Sequence, residues 1–249
     1  MRGTLRACLL LGSLLAGLGS LPPTSSYAAL ETQRHTLPNG VRLVLSTQRA
    51  VPIVSINCLV DGGARLDPAD QPGLAGLTAD LLDEGTGKRS SQEIARTIDS
   101  LGGSFGTGAS RDWIHAGAAV LSRDLATAFD LVAESLRDPT FPPEEVERTR
   151  RETLGALEAA EEDPGTVAAR TFRHALYGNT AYGYPVAGTP ASVAKIDRQA
   201  VMDFHRRAIT PGRTICAVVG DASEKELLAE AERTLGCLLY TSPSPRDRG

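Results

Sequence analysis

The sequence lacks most of the features that announce a function class. Its 26 lysines and arginines are scattered and the formal net charge is -4, so the clustered positive surface that neutralises a phosphate backbone is missing. Nucleic acid is excluded as a partner. Cysteine is scarce: Cys8, Cys58, Cys216 and Cys237 are the four present in 249 residues, too few for a disulfide-stapled scaffold. Beyond the first 28 residues no apolar run approaches the roughly 18 residues that a membrane-spanning helix needs, so no integral membrane segment is expected in the mature chain. What is there, 41% apolar and 22% charged residues, is an ordinary globular composition.

The two ends differ from what lies between them. Arg2 and Arg6 precede an apolar run from Ala7 to Leu18, and Ser26-Tyr27-Ala28 places small residues at the third and first positions before a cut. That is the pattern of a secretory signal peptide over residues 1–28. Cys8 opens the apolar run rather than closing it, which argues against a lipid-anchored cleavage site. The expected location is therefore periplasmic or secreted. Cys58 and Cys216 each sit in a strand-like apolar run; burial as small unpaired side chains is the reading that their type favours, with a Cys58–Cys216 bridge as the alternative. At the far end "LLYTSPSPRDRG", from Leu238, has no period and two Ser-Pro steps. It is similar to a translated sequencing-adapter tail, so residues 237–249 are expected to be non-native and the natural protein to continue differently past about Gly236.

Between the ends, "GVRLVLS" and "VPIVSINCLVDGG" are rich in Val and Ile and follow an Asn39-Gly40 turn, so they read as two neighbouring strands. A short helix is expected over Gly73–Leu82. Ser90 and Glu93 form a capping box for another, with Ile94, Ile98 and Leu101 on one stripe and Gly102-Gly103 as its stop. The glycine passage "GGSFGTGASRD" leads into a strand from Trp113 to Ser122, with Trp113 and His115 on one face and Ala116, Ala118 and Val120 on the other. Helices follow over 123–137, from Pro143 to about Glu162, over 167–177 and over 198–207. A strand from Arg213 and a helix capped by Ser223 and Glu226 complete the pattern. Runs of strands and helices are segregated, which predicts an α+β fold: an antiparallel sheet with helices packed on it.

Taken in order, "TLPNGVRLVL", "DGGARLDP", "GLAGLTADLLDEGT", "LGGSFGTGASRD", "RTRRETLGALEAAEEDP", "YGYPVAGT" and "VVGD" resemble the amino-terminal-type domain of insulinase-like, pitrilysin-type zinc metallopeptidases. The resemblance runs through residues 29–236, with about 36–186 matching the amino-terminal part and 187–236 the start of the part that follows. It implies zinc, held in active members by an inverted H-x-x-E-H motif and by a glutamate about 76 residues further on. In that motif the glutamate activates a metal-bound water as general base. Here the histidine positions are Gly76 and Asp80, the base position is Ala79, and the distal glutamate position is Ala156. One carboxylate remains, and even Glu158 swung into place would add no imidazole and no base. No cofactor is therefore expected.

The four histidines, His35, His115, His174 and His205, have no partner at zinc-motif spacing. G-x-S-x-G is absent, and the glycine passage lacks the Lys-Ser or Lys-Thr of a phosphate loop. Glu158, Glu161, Glu162 and Asp163 read as a solvated helix end. By the resemblance, the strand after the glycine passage, Ser104, Phe105, Gly106, Thr107, Gly108, Ala109 and Ser110, is the edge beside which a peptide substrate adds, and non-catalytic members partner zinc-bearing ones as a subunit or second domain. The leading expectation is a non-catalytic homologue in a peptide-processing chamber of the cell envelope. The alternatives are a zinc metalloendopeptidase with ligands elsewhere or in a missing region, and a peptide-binding scaffold module.

Overall fold

Alternation of apolar and polar residues builds the sheet. In the computed structural model, which describes residues 31–238, β1 is Gln33–Thr36, β2 Arg42–Thr47, β3 Ile53–Asp61, β4 Ser104–Ala109, β5 Trp113–Leu121 and β6 Thr214–Gly220. The signal peptide expected over residues 1–28, Cys8 with it, and residues 239–249 of the expected tail lie outside the described residues. From Thr32 onward the described chain is one unit.

The six strands form one sheet in the order β1-β2-β6-β3-β5-β4. Four of the five pairings are antiparallel, while β2 and β6 run parallel. The expectation that β2 and β3 are neighbours is thereby corrected: β6 enters between them, pairing Arg42 with Ile215 on one side and Val60 with Thr214 on the other. A local apolar pattern marks a strand without naming its partner, and here the partner arrives from the far end of the chain. The same register places Cys58 directly opposite Cys216, with 4.0 Å between their Cα atoms and a disulfide between their sulfurs. The expectation of two unpaired cysteines is overturned because both side chains point from adjacent strands into the same face. Cys237 is free and exposed.

One face of the sheet is the core. Leu43 and Leu45 of β2, Val54, Ile56 and Val60 of β3, Ile114 and Val120 of β5, and Val218 of β6 are buried there. They pack with Phe129, Val132 and Leu136 of a helix over Leu125–Arg137 and with Leu227 and Ala231 of a helix over Glu224–Thr234. The opposite face is left toward water, with Ser55, Asn57, His115 and Ala217 exposed along it. Leu238 is packed into the core, and the Asn39 amide donates to its carbonyl.

In chain order the helices are α1 (Leu74–Asp80), α2 (Ser91–Leu101), α3 (Leu125–Arg137), α4 (Pro143–Ala160), α5 (Pro164–Tyr177), α6 (Pro190–Val193), α7 (Arg198–Ala208) and α8 (Glu224–Thr234). Their ends follow local chemistry. Both halves of the capping box form at Ser90 with Glu93 and at Ser223 with Glu226, and Gly102 takes the left-handed conformation that stops α2. Asp163, expected as part of a solvated acidic end, also caps α5 by accepting from Gly165 and Thr166.

Candidate functional site

The expected motif positions Gly76, Ala79 and Asp80 lie on α1, a helix of seven residues with its first six buried. So short an element cannot hold itself in water, and the structure fixes it from outside. The Asp67 carboxylate accepts from the backbone N–H of Gly73 at 2.8 Å and of Ala75 at 2.7 Å, a cap supplied from upstream across a loop. Burial pushes the Asp67 carboxyl up to about 6, although those backbone bonds hold it down.

A second clamp comes from downstream. Ser192 donates from its hydroxyl to the Pro72 carbonyl at 2.7 Å. Gly188, at φ 78°, brings the backbone against Pro72 and Gly73 closer than any side chain would permit. Arg111 donates to the carbonyls of Ala181 and Tyr184, and the Tyr182 hydroxyl donates to Asp112 at 2.6 Å. The segment 178–189 is thus tied both to α1 and to the turn between β4 and β5.

This packing decides what the motif positions can hold. A Cβ added to Gly76 would stand 3.0 Å from the Val186 carbonyl oxygen, so an imidazole there requires that backbone to move. Ala79 is fully buried and has no donor atom. Ala156 is exposed on α4 and also offers none, and Glu158 on the same helix is exposed. Asp80 remains. Its side of the helix is open to water, yet the protein atoms crowded around its carboxyl raise it above the usual carboxylate range; Asp83 raises it further and His115 pulls it back. A catalytic zinc takes three protein ligands and an activated water, and this donor set does not fit it. Among the described residues no three His, Cys, Asp or Glu side chains are grouped to hold a metal ion.

The histidines are dispersed. His35 pairs with Glu224 at 2.9 Å, His174 lies against the Tyr184 ring, and half-buried His205 meets the Leu136 carbonyl, desolvation of its ring lowering its pKa. His115 is the one that sequence reasoning set aside and that the fold brings beside Asp80. The signal was available only in the register, which pairs His115 with Gly108 on the strand next to α1.

Ser104–Ala109, the predicted substrate edge, is β4, the last strand of the sheet; Ser110 lies in the turn beyond it, donating its N–H to the Trp113 carbonyl. Among the described residues, the outer side of β4 carries no strand partner. Phe105, Thr107 and Ala109 face the helices, and a cleft beside the strand is lined by Asp83, Glu84, Ile94, Ile98, Asp99 and Phe105. Its floor is apolar and its rim acidic. Burial raises the Asp83 carboxyl, with Thr107 among the groups that lower it. Glu84 is committed to Arg148 at 2.7 Å, which also binds Glu145 and Glu152 and so ties α4 to the end of α1.

Comparison with known proteins places this geometry. The family model for Insulinase (Peptidase family M16) matches residues 42–190, and that for the Peptidase M16 inactive domain matches 195–249. An uncharacterised zinc protease of Mycobacterium tuberculosis is 32% identical over 223 residues, covering 90% of this chain and 51% of the relative. The crystal structure of a peptidase M16 inactive domain from Pseudomonas fluorescens is 28% identical with a TM-score of 0.80, over 86% of this chain and 52% of that one. The first half of the Escherichia coli periplasmic protease PqqL shares the fold, with a TM-score of 0.76 at 20% identity, over 86% and 48% of the two chains. The chain spans about half the length of the curated relatives it matches.

Proposed function

This chain belongs to the insulinase peptidase family, and on that premise we propose that it is a non-catalytic member that holds peptide and works beside a zinc-bearing homologue. The observation that carries the reading is the donor set: Gly76, Ala79, Asp80 and Ala156 offer one carboxylate where the family's chemistry needs two imidazoles, a ligand carboxylate and a base. The fold around those positions is retained. Asp67, Ser192 and the 178–189 segment clamp α1 beside β4, so the scaffold beside the edge strand stands without help from the motif side chains.

Peptide binding by strand addition uses backbone N–H and C=O groups and does not depend on the lost side chains. The outer side of β4 supplies those groups, Gly106 has open space beside its Cα, and the apolar cleft beside Phe105 gives a side chain of the peptide somewhere to go. Export to the periplasm or the outside fits the disulfide between Cys58 and Cys216, since such bridges persist in oxidising compartments. Among the described residues no helix is long and apolar enough to cross a membrane.

A peptidase assay with a fluorogenic peptide library tests the reading. The purified chain alone gives no hydrolysis; the zinc-bearing homologue from the same organism gains activity when the chain is added. Full activity of the homologue by itself, or chelator-sensitive hydrolysis by this chain alone, overturns it.

A further inference from the structure

The turn that follows β4 holds positive charge that the fold does not neutralise. Arg111, the second residue beyond the strand, is half-buried. It donates from Nη1 to the carbonyls of Ala181 at 3.1 Å and Tyr184 at 2.8 Å, and its guanidinium lies 5.9 Å from the centre of the Tyr182 ring. Neutral carbonyls and an aromatic face fix the group without cancelling its charge. Asp112 acts on Arg111 from close by, but the Tyr182 hydroxyl already donates to it and it lies 4.0 Å from Arg65.

Helix α5 adds a second guanidinium. Arg173 is half-buried on the side of the helix that meets the 178–189 segment, where His174 lies against Tyr184 and Tyr177 against Tyr182. Partial burial lowers the Arg111 pKa, and Arg173 is near enough for its charge to lower it further, while Tyr182, Asp112 and Tyr177 raise it. Arg173 has no hydrogen-bond or ion-pair partner among the described residues. Arg170, one turn earlier, differs in being taken up by Glu161. Two like charges held close in a partly dry place are unfavourable until an anion joins them.

We infer that Arg111 and Arg173 form a carboxylate-binding site at the end of the edge strand, where it anchors one end of a peptide held on β4. This rests on the proposed peptide-holding role and adds what such a peptide must carry. Guanidinium groups match the two oxygens of a carboxylate in shape as well as in charge, and Nε and Nη2 of Arg111 have no partner among the described residues. Strand addition lays the peptide along β4, so one of its ends comes to this turn. A peptide parallel to β4 brings its C-terminal carboxylate there; an antiparallel one brings an acidic side chain near its amino end. The rest of the surroundings oppose an acid, since the cleft beside Phe105 is rimmed by Asp83, Glu84 and Asp99 and the chain carries a net charge of -4. A preference for acid must therefore be local.

Fluorescence anisotropy of coumarin-labelled peptides tests this. The probes are ten residues of alternating Val and Ser in three forms: C-terminal carboxylate, C-terminal amide, and C-terminal amide with Glu at the second position. The full chain is used as wild type, Arg173→Gln and Arg170→Gln, the last removing a charge from the same helix that an ion pair already occupies. All three proteins are expected to keep one circular dichroism spectrum, because no residue of α5 is buried. The inference predicts that at least one carboxylate form binds wild type and Arg170→Gln about tenfold more tightly than the plain amide, and that Arg173→Gln removes the difference. A gain with the free C-terminus makes the peptide parallel and a gain with the Glu form makes it antiparallel; either supports the site. Equal binding of all three peptides overturns the carboxylate site and leaves the peptide-holding role standing. A preference that survives Arg173→Gln overturns the assignment to this pair. Absence of binding of any peptide to wild type overturns both.

Discussion

At the scale of single residues, Asp67 makes a prediction that can be read against pH. Burial raises its carboxyl from the ordinary aspartate value of 3.8 to about 6 in the folded protein. A raised carboxyl means that the folded chain binds the proton more readily than the unfolded one. Its contribution to stability is therefore fully present below about 4 and is lost as pH rises through about 6. Between pH 4 and 7 the wild type should lose about 2 kcal/mol relative to Asp67→Asn, which does not titrate. Urea melts of the two proteins across that range check it, and parallel curves would contradict it. The motif positions could be counted in the sequence because a motif has fixed spacing, and the count falls on Gly76, Ala79 and Asp80. Asp67 and Ser192 were not legible in this way, because a cap that reaches a helix across a loop leaves no periodic mark. Nor was the closeness of His115 to Asp80, which depends on a cross-strand register rather than on sequence distance.

Among elements, what sequence could read depended on how local the cause was. The capping boxes at Ser90 and Ser223 and the glycine stop at Gly102 formed where expected, since each is settled within a few residues. β1 was missed: Gln33–Thr36 is a short polar strand at the sheet edge and has no apolar alternation. The four residues of α6 were missed for want of length. The position of β6 was missed for a different reason, because sheet order is decided by contacts between residues far apart in the chain. That insertion yields a prediction. The Cys58–Cys216 bridge closes a sequence separation of 158 residues, and restraining so long a loop in the unfolded chain is worth about 3–5 kcal/mol. Replacing both cysteines by alanine should lower the unfolding free energy by that amount and leave the far-ultraviolet circular dichroism unchanged. An unaltered denaturation midpoint would mean that the bridge does not form in solution.

For the whole molecule, the fold class was legible and its partnerships were not. Segregated strand and helix patterns gave an α+β domain with an antiparallel sheet; the structure has that class, with one parallel pairing, β2 with β6, that the patterns did not show. The sequence marked a helix over 167–177 without saying which face it buries, and only the structure turns Phe172 and Leu176 outward. A domain that keeps the family's scaffold, leaves β4 open along one side and offers one carboxylate at the metal positions is suited to hold peptide and to need help with its chemistry. The most direct test of that claim is zinc stoichiometry on the purified chain after dialysis against micromolar Zn²⁺. The account predicts far less than one zinc per chain. One zinc per chain, retained through a chelating column, would contradict it and call for the chain to be assayed as a peptidase.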